Sequence, residues 1–205
     1  LAAGCFLIRD AHMDGSKITF LEQLDIAGGS LDGQVRQNIG YVARGGREQG
    51  HHFEVLWDLF SSLPSTEDPN MTVLDHFYYT NHDDPNFSNC RITNNQGERY
   101  DNGKFNLGQD LAKELAAFVS IPDEELQNKA IEDIFSEELL NSDFWTYWRT
   151  MFAFENWHSA LEMKLYMNRF IHHVGGLPDL SALQFSRHDQ YTSFVKPMVK
   201  YLEDH

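Results

Sequence analysis

Two glycine doublets, each with an acid close by, mark the part of this sequence that could do chemistry. Residues 17–33 read KITFLEQLDIAGGSLDG. Ile18, Phe20 and Leu21 have the apolar character of a short buried strand, and Glu22 stands where that strand would leave its sheet. A carboxylate there can accept both hydroxyls of an adenosine ribose, the role of the acid that closes the first βαβ unit of dinucleotide-binding folds. Gly28 and Gly29 then let the backbone approach a ligand with no Cβ in the way. A strand that ends in Glu before a glycine turn is also a common exit into a loop, and both readings stand at this point. Further on, residues 44–48 read RGGRE. Glu48 follows two glycines and a guanidinium, so it could be an acid–base group beside a bound ligand. It fits a surface carboxylate paired with Arg44 or Arg47 as well.

Other chemistries find little support. There is no Gly-x-Ser-x-Gly elbow, and neither Cys5 nor Cys90 sits in a motif that would activate a thiolate. His51 and His52, like His172 and His173, are adjacent in sequence, and neighbouring helix positions do not share a face. No HExxH or cysteine-rich spacing accompanies them, so no metal site is expected. The run NHDDPN at 81–86 has oxygens enough for calcium, but it lacks the glycine and distal Glu of an EF-hand and reads as a turn.

The elements that must position these residues are legible from pattern. Residues 1–12 have helical rhythm, with the small residues Ala2, Ala3 and Gly4 suited to packing against a sheet. Asp14 and Gly15 form a turn before the strand expected over 18–21. Helix, turn, strand and acid together are the second half of a βαβ unit whose strand and Gly-x-Gly-x-x-Gly turn are missing, and there is no initiator Met. The chain is therefore expected to be part of a longer protein. Residues 30–38 read as a loop, 39–43 as a short strand, and 51–63 and 71–79 as helices. Residues 89–94 read as a strand entering a tight turn at Gly97. From Leu107 the texture becomes helical, with an amphipathic helix over 108–119 and cap signals at 120–124, 136–138 and 141–143. Residues 144–173 read as one long aromatic-rich helix ended by Gly175, Gly176 and Pro178. Its rings suit core packing, with the wall of an apolar tunnel as the alternative. A last helix over 188–203 would be kinked by Pro197. The expected division is 1–105, nucleotide-binding material, and 106–205, a mostly helical layer.

Composition sets bounds. The chain has 205 residues, a net charge of −15 and 41% hydrophobic residues. Such an acidic chain would be repelled by phosphates, which argues against nucleic-acid binding. Two cysteines are too few for a disulfide scaffold, and a reducing compartment is expected. No apolar run approaches the roughly 20 residues needed to span a bilayer.

Several segments are similar to the oleate hydratases, formerly called myosin-cross-reactive antigens. They are AGGSLDG, GYVARGGRE, the stretch FWTYWRTMFAFENWHSALEMKLY with its flanks, and the closing QYTSFVKPMVKYLEDH. The resemblance runs from Leu1 to His205 and is weakest around 92–128. It implies an α/β protein with a Rossmann-like FAD-binding domain of the amine-oxidase flavoprotein pattern and a largely helical substrate layer, incomplete in this chain. It implies FAD as a cofactor without net redox change, and addition of water across the cis-9 double bond of oleate to give 10-hydroxystearate. Glu48 then matches the family's water-activating acid, Tyr166 its proposed proton donor to the alkene, and Gln190 a glutamine of its substrate site. Glu22, Gly28, Gly29, Ser30, Gly45, Gly46 and Arg47 match segments lining FAD. An isolated alkene is a poor electrophile, so one carbon must receive a proton as water approaches the other, and an acid and a base on opposite sides accomplish this. The resemblance further implies a homodimer and a cytoplasmic location, and leaves open peripheral membrane contact through parts absent here. Two rival readings are a flavin-dependent oxidoreductase acting on a lipid or amine, and a non-catalytic lipid- or flavin-binding fragment.

Overall fold

Small residues at the start of the chain let the first helix pack closely against its neighbours. In the computed structural model, which describes residues 1–31, 33–43, 47–99 and 107–205, helix α1 spans Ala2–Arg9 and buries Gly4 and Cys5. A Cβ on Gly4 would lie 2.3 Å from Phe20 Cζ and 3.1 Å from Leu202 Cδ2, so the missing side chain is what admits the Phe20 ring. The partners of α1 are helices, α2 (Glu54–Phe60) and α9 (Lys196–Asp204), rather than the expected sheet. Arg9 in its last turn donates to Asp10 Oδ1 at 2.6 Å and to the Asp58 carbonyl at 2.9 Å. Burial pushes the Cys5 thiol above its ordinary value, which suits an inert core cysteine.

Asp14 opens the next turn, where its Oδ1 accepts the Ser16 N–H at 3.0 Å. Ile18 is extended, with φ −104° and ψ 125°. The buried strand expected over 18–21 does not form: Leu21 is 95% exposed, and Phe20 and Leu24 are also exposed. An apolar extended segment becomes a strand only where a neighbouring strand takes its N–H and C=O groups, and no described strand pairs with it here. The residues read as a loop at 30–38 instead contain strand β1 (Gly33–Arg36), which pairs antiparallel with β2 (Gly40–Ala43). Asn38 at φ 65° and Gly40 at φ 101° close this hairpin in left-handed conformations that Asn and Gly tolerate. A second ribbon joins β3 (Thr93–Asn94) to β4 (Glu98–Arg99) through Gly97 at φ 110°. The described strands pair only as these two antiparallel ribbons.

The chain divides into two compact units, Leu1–Pro85 with Gln184–His205, and Asn86–Leu183. These differ from the 1–105 and 106–205 division because the last segment returns to α1. The first unit is held by an aromatic core. Trp57 lies 4.4 Å from Phe77 and Phe60 5.0 Å from Phe194, measured between ring centroids. Helix α3 (Val73–Asp83) starts with a reciprocal cap in which Thr72 Oγ1 accepts the Asp75 N–H and Asp75 accepts the Thr72 N–H, both at 3.1 Å. It runs through the sequence NHD that pattern alone marks as a turn. Near the C-terminus a wide π-type turn over Tyr191–Val195 leads into α9, with the Lys196 N–H reaching back to the Tyr191 carbonyl. Pro197 therefore stands at the start of α9 rather than kinking a helix at its middle. Its missing N–H is harmless there.

In the second unit α4 (Gln109–Ser120) buries Leu111, Leu115 and Phe118, the face its periodicity marks. Short α5 (Asp123–Leu126) and α6 (Glu137–Leu140) follow, the latter capped by Ser136. The long helix expected over 144–173 is two helices, α7 (Asp143–Phe152) and α8 (Ala160–Phe170). Ala153 at φ 57° ends α7, and the Ser159 hydroxyl caps α8 by accepting from Glu162 N. The intervening loop is tied down: Asn156 Oδ1 accepts Trp145 Nε1–H at 2.9 Å, and the Asn156 and His158 carbonyls accept the N–H groups of Glu132 and Ile131. Phe144, Trp145, Trp148 and Phe154 are buried, so most of the aromatic run is core, whereas Trp157 is exposed. Truncating Trp148 to Ala should cost about 3–5 kcal/mol of stability. Thr72→Ala should cost about 1 kcal/mol through loss of a helix cap. Urea unfolding of the two variants measures both, and equal costs would contradict this account.

Candidate active site

Within the first unit the two glycine-bearing segments and the C-terminal segment converge on one apolar cavity of about 390 Å³. Its wall is Phe6, Phe53, Leu56, Leu59, Phe60, Phe194 and Met198, and its polar members are Arg47, Gln49 and Gln190. The volume lies in the range of small-molecule sites, which combine an apolar lining with a few placed polar groups.

Three glutamines fix the segment 47–49. The Gln49 main-chain N–H donates to the Gln184 carbonyl at 2.9 Å, in an antiparallel bridge. The Gln49 side chain, 6% exposed, turns back and donates from Nε2 to the Arg47 carbonyl at 3.0 Å. Gln190 Nε2 donates to the same carbonyl at 3.4 Å. Glu48 is thus bracketed by anchored residues on both sides. Its carboxyl is half-buried, and burial raises its pKa above the ordinary glutamate value with no described charge to offset the effect. Arg47 and Gln49 line the apolar cavity and Glu48 between them does not, as expected where successive side chains of an extended segment alternate. A carboxyl whose proton affinity is raised by burial, held on an anchored backbone, is a candidate proton acceptor.

The glycine turn lies beside this segment. Gly28, at φ 111°, packs on Val195, whose Cγ1 would stand 3.0 Å from a Cβ built there. Gly29, at φ 55°, faces open space instead, so the close approach expected of the pair is available at Gly29 and already taken by protein at Gly28. Arg47 Nη2 donates to the exposed Ser30 carbonyl at 3.5 Å, joining the turn to the segment that carries Glu48. Glu22 is exposed, and its Oε1 accepts the N–H groups of Gln23 at 2.7 Å and Leu24 at 3.0 Å. Gly45 and Gly46 lie outside the described residues. Tyr166 belongs to the second unit, on α8. Its ring meets Phe152 and Phe154 edge-on, with centroids 5.6 and 5.2 Å apart, and it is 38% exposed.

Sequence reasoning missed Gln49, Tyr41 and Asp189. Asp189 Oδ1 accepts the N–H groups of Tyr191 at 3.0 Å and Thr192 at 3.2 Å, and its carboxylate also accepts from the Tyr41 hydroxyl. Burial works to raise the Asp189 pKa, but hydrogen bonds from Tyr41, Thr192 and Tyr191 outweigh it and hold the group below its ordinary value. Bonding to Asp189 pushes the Tyr41 phenol up to about 12. The signal that could have found Asp189 is its place just ahead of the turn beginning at Tyr191, where an acid caps free N–H groups. Among the described residues, no three His, Cys, Asp or Glu side chains converge so as to hold a metal ion. No described helix is long and apolar enough to cross a membrane.

Comparison with known proteins places the chain in a family. The chain is 51% identical over 206 residues to an oleate hydratase of Streptococcus pyogenes serotype M49 (strain NZ131), an alignment that takes in all of this chain and 35% of that protein. It is 28% identical over 223 residues to a linoleate hydratase of Lactiplantibacillus plantarum, covering 99% of this chain and 39% of the relative. The chain therefore spans little more than a third of the curated relatives it matches. The sequence profile of the MCRA family matches residues 1–205 throughout, and the chain belongs to that family.

Proposed function

We propose that the protein to which this chain belongs is a fatty-acid hydratase, a lyase that adds water across the cis-9 double bond of oleate to give 10-hydroxystearate. Its relatives' names supply the substrate class. The observation on this chain that carries the reading is Glu48, half-buried, raised in pKa by desolvation and anchored on both sides. In the proposed reaction Glu48 takes a proton from water while the water oxygen bonds to carbon 10, and carbon 9 receives a proton. Tyr166 is assigned as the donor of that second proton and Gln190 as a substrate contact, on the resemblance to the family. A phenol of pKa about 10 is a weak acid, so its placement must compensate. Return of the proton from Glu48 and reprotonation of Tyr166 complete the cycle without an oxidant.

Some of these residues suit FAD: Gly28 is packed on Val195 and Glu22 turns one carboxylate oxygen onto its own main chain, but Gly29 and Ser30 stand open to a ligand. Gly29 offers a left-handed backbone with open space beside it, Ser30 and Glu22 are exposed, and Arg47 reaches the same turn. We assign Glu22, Gly28, Gly29, Ser30, Gly45, Gly46 and Arg47 to holding FAD on a Rossmann-like domain completed by the rest of the protein. Residues 1–105 would contribute to that domain and 106–205 to the helical substrate region. Bound there, the flavin supplies a polar, ionisable surface that tunes Glu48 electrostatically, without net redox change. The protein is further proposed to be a cytoplasmic homodimer, with any peripheral membrane contact made by its other parts.

Incubation of the full-length protein with FAD and oleate in H₂¹⁸O should yield ¹⁸O-labelled hydroxy acid with no consumption of oxygen or acceptor. Acceptor use would instead establish a flavin oxidoreductase, and fatty-acid binding without product a non-catalytic module. Glu48→Gln should retain FAD and lose about 10²-fold or more in kcat. Near-normal turnover by that variant would remove Glu48 from the mechanism. Because the base must be ionised and burial raises its pKa, kcat should fall with decreasing pH at values above the ordinary glutamate range. A pH–rate profile flat through that region would contradict the assignment.

A further inference from the structure

The chain around Gln190 is held against the first hairpin through Tyr41, whose hydroxyl is bonded to both Asp189 and Thr192. Asp189, the neighbour of Gln190 in sequence, accepts two main-chain N–H groups of the π-type turn and the hydroxyl of Tyr41 on β2. The approach is close enough to dictate a third residue. A Cβ on Gly33, at the start of β1, would lie 2.1 Å from the Tyr41 hydroxyl oxygen and 2.7 Å from Asp189 Oδ1. No side chain fits there. A carboxylate accepting two backbone N–H groups and a phenol has its lone pairs filled from two sides, so its orientation is fixed.

From Tyr41 the chain of contacts runs through Asp189 to Gln190, from Gln190 Nε2 to the Arg47 carbonyl, and so to the residue after it, Glu48. We propose that Tyr41 and Asp189 are positioning residues for the proposed reaction: they set the Gln190 amide against the Arg47 carbonyl and along the apolar cavity. The inference rests on the proposed hydratase reading, in which Gln190 contacts the fatty acid. Neither residue touches the reacting atoms. The Tyr41–Asp189 bond ties the hairpin that leads into the second glycine doublet to the turn that carries Gln190.

The test is a double-mutant cycle in the full-length, FAD-loaded protein, read as the Kd for stearate, a saturated acid that cannot turn over, and as kcat/KM for oleate. Tyr41→Phe and Gln190→Leu should each weaken stearate binding at least threefold and lower kcat/KM about tenfold. The Tyr41→Phe/Gln190→Leu double variant should match Gln190→Leu within twofold, because Tyr41 acts only through Gln190. Asp189→Asn, which keeps an acceptor oxygen, should fall between wild type and Asp189→Ala. Ultraviolet titration reports the bond itself. The phenol pKa is raised in the folded state, so the bond persists below about 10 and is lost as pH rises through about 12, and the highest-titrating tyrosine should vanish in Tyr41→Phe. Multiplicative losses in the double variant would show a merely structural tie and overturn the proposal. So would wild-type binding and turnover in Tyr41→Phe. A wild-type protein that binds no fatty acid overturns the fatty-acid reading itself and takes this inference with it, an outcome separate from a failed cycle.

Discussion

The bridge between Gln49 and Gln184 is the contact on which the site depends. It joins the segment after the second glycine doublet to the start of the C-terminal segment, with the whole second unit lying between them in sequence. Glu48 stands next to it in sequence. The Gln49 amide is buried and folded onto the Arg47 carbonyl, Gln190 adds its own donor, and the apolar cavity acquires a polar edge. A loop with the same residues but no returning segment would leave Glu48 in water at an ordinary carboxylate pKa.

That return also explains how the fold tolerates a second unit between Pro85 and Gln184. The residues on either side of it are fastened locally: Asn81 donates to the Phe185 carbonyl at 2.9 Å, and Asn81 Oδ1 accepts the Phe185 N–H at 3.2 Å. The first unit thus closes around its own core, with Phe194 against Phe60 and α9 against α1. Loop-closure entropy grows only slowly with length, so the long excursion costs far less than its size suggests.

What was legible in the sequence is what depends on nearby residues. Ser136, Ser142 and the α4 stripe all act within about one turn of helix, and each stands where pattern places it. Features that depend on distant partners were not legible. Ile18, Phe20 and Leu21 carry a strand's composition, but no described segment pairs with them. The aromatic run continues without Gly or Pro across Ala153, so nothing local announces the break. The break is made by Ala153 turning left-handed while Asn156 and His158 bond to the segment at 131–132. The site divides the same way. Glu48 stood out because glycines and arginines surround it in sequence, whereas Gln49, Tyr41 and Asp189 are ordinary polar residues until the chain brings them together.

The degree to which Glu48 is buried is itself a constraint on mechanism. Full exposure would leave a carboxylate too weakly basic to draw a proton from water. Full burial without a partner would keep it protonated at neutral pH and useless as a base. Glu48 is half-buried, and burial raises its pKa from the ordinary glutamate value. In the proposed reaction the anchoring amides on either side of Glu48 would therefore matter as much as any partner charge.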